Sequence, residues 1–476
     1  MKATTASLRV AAAWAPLLLL CCVFISMVRV ESLVPHTTTT CNTRRSTIST
    51  KFGGYHNLQS PLFATQESTS DIRLNPLVES VKVSKTVEVF GKVKQLEAEG
   101  VEVTSLCVGE PDFLPPLQVL QATKKAVDDG QTRYTAVTGT LALRQAIADD
   151  LKRRKGVTYN PNTEIVVGNG AKQSVYQSVL AVCGLGDAVI IPAPYWPSYP
   201  EMVALAGGTS VIVETEAENG YLMTPDQLRK ALEANPKIRL IMLCNPSNPT
   251  GGVYSRQDLQ GLAGVLMEFP QVAVLADEIY ERLVYPASEN DTTDKDDWCP
   301  SFASIPGMFD RTMTLNGFSK AYAMTGYRLG YVAAPARLAK AVTTLQSQIT
   351  SCASSISQAA GVAALTQVPD SVLEENANIM QAKRDFVLSE LSKMPHVQLP
   401  AVPPRGAFYV LPDLSQAPKY NGDDTQLCLD LLEDQKLALV PGSSFGAPGT
   451  VRLSYATSME ELQTAMNKLS TFLKAL

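Results

Sequence analysis

The chain has 476 residues, 45% hydrophobic and 18% charged, with 41 Lys and Arg against 46 Asp and Glu. That length supports one large or two medium domains with a sizeable core, and the composition is that of a globular protein. The net charge of -5 gives no electrostatic reason to expect nucleic acid, and with three histidines (His36, His56 and His396) a histidine-rich zinc site is excluded and a Ser-His-Asp triad would rest on His396 alone.

The first 66 residues differ from the rest. Lys2 and Arg9 precede a run without charge from Val10 to Val28, the pattern of a secretory signal. From Val34 to Gln66 there is no Asp or Glu, Ser and Thr are dense, and Arg44, Arg45 and Lys51 are basic, which is transit-peptide composition. Residues 1–66 are therefore expected to be a two-part presequence for a plastid reached through the secretory route, leaving a mature form without a membrane anchor. Simple entry into the secretory pathway is the alternative, and the apolar run is almost long enough to span a bilayer. Six cysteines lie beyond this leader without a Cys-x-x-Cys spacing, so buried free thiols are expected.

Beyond Gln66 the pattern alternates. Helical periodicity marks Gln118 to Asp128 and Thr140 to Arg154. Short apolar strands are predicted at Glu164 to Val167, Ala188 to Ile191, Arg239 to Cys244, Val272 to Ala276 and Thr312 to Leu315. Strands alternating with helices predict an α/β fold with a largely parallel sheet covered on both faces. Glu289 to Asp297 is charged and free of apolar residues, a solvated surface loop. From about Pro369 longer helices take over, so 370–476 is expected to form a second domain, joined by the segment before Pro115.

A polar cluster follows each predicted strand: Gly168-Asn-Gly170-Ala171-Lys172, Pro192-Ala-Pro-Tyr195-Trp196, Asn245-Pro-Ser-Asn248-Pro-Thr-Gly251, Asp277-Glu-Ile-Tyr280 and Ser319-Lys320. Ligands of open α/β sheets lie outside the C-terminal strand ends, so the five clusters are expected to converge on one pocket. Lys320 sits among small residues, and a close, partly dry pocket would let its amine lose a proton and meet an aldehyde. Ser319, and Arg328 two helical turns further on, suit a phosphate. Asp277 ends an apolar strand; it would pair with a protonated ring nitrogen, attracted by roughly 4 kcal/mol at about 4 Å, or cap the following helix. Tyr280 and Asn248 can reach a phenolic oxygen on the same ring, or serve in packing and in an Asx-turn. The amides of Gly170, Ala171 and Lys172 suit a single phosphate at a helix start, while the Lys172 side chain has a substrate carboxylate as its other option. Trp196 is placed to stack on an aromatic cofactor or to fill core. Arg452, charged within a strand-like run, calls for an anion if it points inward, and an α-carboxylate fits.

Taken together, these segments resemble the class I aminotransferases, fold-type-I enzymes that depend on pyridoxal 5'-phosphate (PLP). The resemblance runs from Leu74 to the C-terminus and includes Gly109-Glu-Pro-Asp-Phe113, Tyr134 ahead of Gly139, Gly406-Ala-Phe-Tyr409 and Val451-Arg-Leu-Ser-Tyr455. It implies an α/β architecture with a large domain (119–369) built on a mostly parallel mixed sheet flanked by helices. A smaller α+β domain would come from the N-terminal arm (67–118) and residues 370–476. It implies Lys320 as the lysine that joins the cofactor aldehyde, Asp277 on the pyridine nitrogen, and Tyr280 with Asn248 on the ring hydroxyl. Ser319, Arg328 and the amides around Ala171 would hold the phosphate, with Tyr134 supplied by the partner subunit of a homodimer. Arg452, Asn248, Trp196 and the Gly109 backbone would bind the substrate's α-carboxylate end. Asn169-Gly-Ala-Lys172-Gln-Ser and Val451-Arg-Leu-Ser-Tyr-Ala-Thr-Ser are most similar to a bacterial-type subgroup also found in plastids, which contains aspartate aminotransferases, some of them accepting prephenate. In that subgroup Lys172 and Thr86 mark prephenate use. Tyr327, where tryptophan is usual, and the acidic 289–297 loop depart from the pattern. Other PLP aminotransferases or lyases on this fold, of kynurenine or alanine type, are the alternative within the enzyme class. A PLP-sensing transcription regulator would need a basic helix-turn-helix, which no segment supplies.

Overall fold

In the computed structural model the described residues are 73–81, 85–286 and 298–476, and the side chains of residues 85–88 and 90 fall outside them. The expected presequence (1–66) and the acidic 289–297 loop therefore lie outside the described residues.

Twelve strands occur among them, numbered in chain order: β1 (Thr104–Ser105), β2 (Ile165–Gly168), β3 (Ala188–Ala193), β4 (Thr209–Glu214), β5 (Ile238–Cys244), β6 (Ala273–Asp277), β7 (Thr312–Gly317), β8 (Gly330–Ala333), β9 (Tyr409–Val410), β10 (Leu437–Ala438), β11 (Val440–Pro441) and β12 (Val451–Ser454). Seven form the central sheet in the order β2-β8-β7-β6-β5-β3-β4. All its neighbours pair in parallel except β8, which runs antiparallel to both β2 and β7. The five expected strands are all present, each extended or shifted by a residue or two.

The sheet is buried on two faces, as continuous apolar strands such as Ile238–Cys244 require. On one face Leu228, Leu259, Leu262 and Leu266, from helices Pro225–Ala234 and Arg256–Met267, pack against Ile190, Ile241 and Val274. On the other, Val175, Val179 and Val342, from helices Ala171–Val182 and Ala336–Ile349, pack against Val166, Leu240 and Leu315. The expected helices are Leu117–Asp128 and Leu141–Lys155. The second starts on a Thr140 side chain that accepts from Leu143 N and stops at Gly156, whose φ of 66° ends the helix.

A smaller assembly combines N- and C-terminal segments. Strand β1 pairs with β10, and β11-β12-β9 form an antiparallel sheet. Helices Asp370–Leu391, Asp424–Gln435 and Met459–Lys474 cover it through Val387, Leu427, Leu431, Leu462 and Leu469. The α/β architecture with a large mixed sheet and a smaller sheet-containing part is that of PLP fold type I. No helix among the described residues is long and apolar enough to cross a membrane.

Candidate active site

The C-terminal strand ends and the smaller sheet enclose a cavity of about 810 Å³. Lys172, Trp196, Asn248, Asp277, Tyr280, Ser319, Lys320, Arg328 and Arg452 all line it, with Gly109 and Ala171. The convergence of the five clusters is therefore physical. Ligands of open α/β sheets sit at such strand ends, where side chains leaving the parallel strands are not needed for packing.

Lys320 follows β7, and its Nζ donates to the Gly109 carbonyl. Desolvation pushes its amine down to about 8; Glu110 opposes that, and the Arg452 and Arg328 cations add to it. An amine at about 8 keeps roughly a fifth of its population neutral near pH 7.4, against about a thousandth for an ordinary lysine, and the neutral form is the one that attacks an aldehyde or takes a proton. One expected outcome is that the rate of PLP uptake by the apo-protein rises about tenfold per pH unit below 8 and flattens above it, since only the deprotonated fraction reacts. Stopped-flow absorbance checks this; a rate still climbing past pH 10 would contradict the lowered value.

The stretch from Lys320 to Arg328 is not helical. The chain turns after Lys320, Ala323 has φ 53°, a 3-10 turn spans Thr325–Tyr327, and Arg328 itself is left-handed at φ 51°. The expectation of two helical turns is thus corrected. Small residues here serve a reversal that sends β8 back against β7. The reversal carries Arg328 to Gly170: a Cβ there would stand 2.6 Å from Arg328 Nη2, and Gly170 has φ 84°. The positive φ is what favours glycine there. Gly170 is also the residue before helix Ala171–Val182, whose first amides point out at the helix start. Ser319, Arg328 and those amides are groups of the kind that suit one phosphate.

Asp277 ends β6 and is 4% exposed. Its Oδ2 accepts from the Tyr199 hydroxyl at 2.7 Å, and its Oδ1 accepts from Ile279 N at 3.3 Å. The helix cap considered from sequence is not what it does: no α-helix follows it, and residues 279–282 form turns. Burial raises its pKa; the Tyr199 bond, the Ile279 amide and the Lys320 charge oppose that rise. A protonated ring nitrogen is the partner that keeps such a carboxylate ionised. The loop after it is fixed by buried ion pairs. Glu281 accepts from Arg154 at 2.6 Å and forms an ion pair with Lys155 at 3.0 Å; burial works against its charge, yet these cations hold it well below the ordinary range.

Tyr280 is buried, with its hydroxyl 3.0 Å from that of Tyr409. Arg452 points inward from β12. Its Nη2 donates to the Cys107 carbonyl at 2.6 Å and its Nη1 to Asn248 Oδ1 at 3.3 Å, while Nε finds no acceptor among the described residues. The guanidinium carbon lies 4.6 Å and 4.9 Å from the ring centroids of Tyr409 and Phe445. A buried guanidinium with a spare donor suits a carboxylate. Lys172 Nζ sits 5.0 Å over the Trp196 ring, and desolvation with the nearby Arg328 charge lowers its pKa.

Three expected site residues are not seen in the cavity lining: Gly170, whose amide donates to the Gly168 carbonyl at 2.9 Å and so is not free for a phosphate, Tyr134 and Thr86. Tyr134 is 88% exposed and contributes nothing to this subunit's cavity lining. Thr86 lies in helix Lys85–Ala98, and its side chain falls outside the described residues. Sequence reading missed Tyr199 and the place of Tyr409 in the site. Tyr199 sits three residues after Trp196, the spacing that puts both on one side of a helical turn, and their rings meet edge to face at 5.3 Å.

The donor set fits PLP: an amine of lowered pKa for the aldehyde, a buried carboxylate for the ring nitrogen, a phenol and an amide for the ring oxygen, and a helix start with Ser319 and Arg328 for the phosphate. The family described as aminotransferase class I and II matches residues 101–469. An aspartate aminotransferase of Pinus pinaster is 44% identical over 412 residues, covering 84% of this chain and 80% of that protein. The bifunctional aspartate aminotransferase and glutamate/aspartate-prephenate aminotransferase of Petunia hybrida is also 44% identical, covering 84% and 82%. Among solved structures, the aspartate aminotransferase of Rhizobium meliloti superposes with a TM-score of 0.78 at 38% identity, over 85% of this chain and 99% of that one. That of Thermus thermophilus with maleate gives 0.77 at 36% identity, over 84% and 100%. With this sheet, this lysine and this carboxylate in place, the chain belongs to the class I and II aminotransferase family and is a PLP-dependent aminotransferase of fold type I.

Proposed function

We propose that the protein moves an amino group between aspartate or glutamate and 2-oxo acids, with 2-oxoglutarate, oxaloacetate and prephenate among the acceptors, in amino-acid biosynthesis that includes the aromatic branch. The observation that carries this reading is the pairing of cations in one cavity, with Arg452 spare at one side and Lys172 over Trp196 at another. A substrate with two carboxylates uses both. The Petunia relative acts on aspartate, glutamate and prephenate, which favours the same range here.

In this reading Arg452 and Asn248 bind the α-carboxylate and turn the α-hydrogen toward Lys320. Lys320 Nζ, whose proton is made easier to lose by desolvation, takes that proton and returns it on the other side of the transfer. Asp277, fixed by Tyr199 and Ile279 N, keeps a proton on the ring nitrogen. Tyr280 and Asn248 orient the ring oxygen, and Trp196 walls the ring. PLP supplies the electron-accepting ring that spreads the charge left at the α-carbon. Arg452→Gln is expected to lower kcat/KM for aspartate by about 10- to 100-fold, the loss of a charge-assisted bond pair, chiefly through KM. Steady-state kinetics check it, and an unchanged KM would remove Arg452 from the carboxylate site.

The substrate reading is tested by giving the purified protein glutamate with oxaloacetate or with prephenate and comparing initial rates. Turnover of both supports it; turnover of neither, with activity on alanine or kynurenine instead, overturns it. We further propose a homodimer in which the exposed Tyr134 serves the partner's phosphate site. Sedimentation as a monomer with full PLP affinity in Tyr134→Phe would contradict that. The acid-poor leader supports plastid delivery; residues 1–72 fused to a fluorescent protein should reach plastids, and a secreted fusion would refute it.

A further inference from the structure

We propose that Tyr409 is a positioning residue that ties the carboxylate site to the site of the cofactor's ring oxygen: its ring face seats the Arg452 guanidinium, and its hydroxyl donates to Tyr280. Tyr409 belongs to β9, which pairs with β12, the strand that carries Arg452. It is 1% exposed. Three groups meet on it. The Tyr280 hydroxyl is 3.0 Å from its own, the Arg452 guanidinium carbon is 4.6 Å from its ring centroid, and a Cβ on Gly109 would stand 2.5 Å from its oxygen. The last contact matters because the Gly109 carbonyl accepts from Lys320. One side chain thus touches the residues assigned to the carboxylate and to the ring oxygen, and the backbone that receives the reactive amine.

The direction of the phenol pair follows from its surroundings. Each hydroxyl carries one proton, so when Tyr280 gives its own to the ring oxygen, the bond it shares with Tyr409 takes the proton of Tyr409. Burial raises both phenols, and the Arg452 cation draws both back. The other ionisable groups nearby are Cys244, which acts on both, and Lys320, whose Nζ lies 5.9 Å from the Tyr280 ring centroid. With Tyr409 donating, the proton of Tyr280 is left to point into the cavity, and a donor that itself accepts a bond becomes a stronger donor. This rests on Arg452 as the carboxylate site.

The test uses PLP-loaded enzyme, visible absorbance against pH, and titration with maleate. In Tyr409→Phe the ring face under Arg452 remains, so maleate affinity is expected to stay within about twofold. The pH midpoint of the visible band is expected to rise by about half a unit to one unit, because Tyr280 becomes a weaker donor to the ring oxygen. In a Tyr280→Phe background the same change should move the midpoint no further, since both substitutions remove one interaction. Tyr409→Leu, which loses the face as well, should weaken maleate by roughly 3- to 30-fold. An unmoved midpoint in Tyr409→Phe, additive shifts in the double variant, or undiminished maleate binding in Tyr409→Leu would each overturn the proposal. A wild-type enzyme that fails to bind maleate would instead sink the carboxylate reading itself.

Discussion

Replacing Lys320 with alanine is expected to lower transamination by at least about 10⁴-fold while the fold and PLP binding persist. General acid–base catalysis alone contributes 10²–10⁴, and the amine's bond to the cofactor is lost in addition. The binding contacts survive, because Ser319, Arg328, Asp277 and the start of helix Ala171–Val182 are untouched. Stability should change little: Nζ makes one hydrogen bond, to the Gly109 carbonyl, and removing a desolvated amine relieves a cost of its own. Single-turnover kinetics with aspartate, beside equilibrium PLP titration, read the two properties separately. Turnover near the wild-type rate would end the assignment of Lys320.

The second large effect is expected at Asp277. Asparagine keeps the shape and can still accept from Tyr199, but it has no charge to hold a proton on the ring nitrogen. An ion pair at about 4 Å in an effective dielectric near 20 is worth roughly 4 kcal/mol, which corresponds to a fall of about 10³-fold if the whole of it is expressed in the transition state. The loss should appear in kcat more than in KM, because in the proposed arrangement Asp277 serves the ring and Arg452 the substrate. Asp277→Glu should not rescue it: the carboxylate is fixed on both oxygens by Tyr199 and Ile279 N, and one more methylene breaks both bonds. A fall below tenfold for Asp277→Asn would mean that the ring nitrogen is handled by another group.

Much of this was legible in the chain, and for identifiable reasons. Buried parallel strands need continuous apolar residues, so Ile238–Cys244 and Thr312–Gly317 declare themselves, and the polar residues that end them declare the site. β4 passed unnoticed because it is an edge strand with a half-exposed face, opening on Thr209 and Ser210 after two glycines. β8 was hidden within the lysine motif. Its four residues pair antiparallel on both sides, so Gly330 is better read as the start of a strand than as the end of a loop. Its lack of a side chain is required there: a Cβ would overlap Ala171 N, at the base of the phosphate pocket.

The site residues missed from sequence, Tyr199 and Tyr409, act through other side chains. A tyrosine that touches Asp277 or Tyr280 has the same local signature as one that fills core, and only the tertiary fold separates the two. Lys320 and Asp277 were recognisable because charged groups at the ends of apolar strands call for a partner. Tyr134, exposed in the structure, carries no local mark of the role proposed for it.

The central claim is that Lys320 Nζ joins the cofactor at the end of β7. Borohydride reduction of the PLP-loaded enzyme, followed by peptide mass mapping, tests it most directly. The expected result is a single modified peptide with the cofactor fixed on Lys320; label on Lys172 or another lysine, or no label on protein that has been saturated with PLP, would contradict the account.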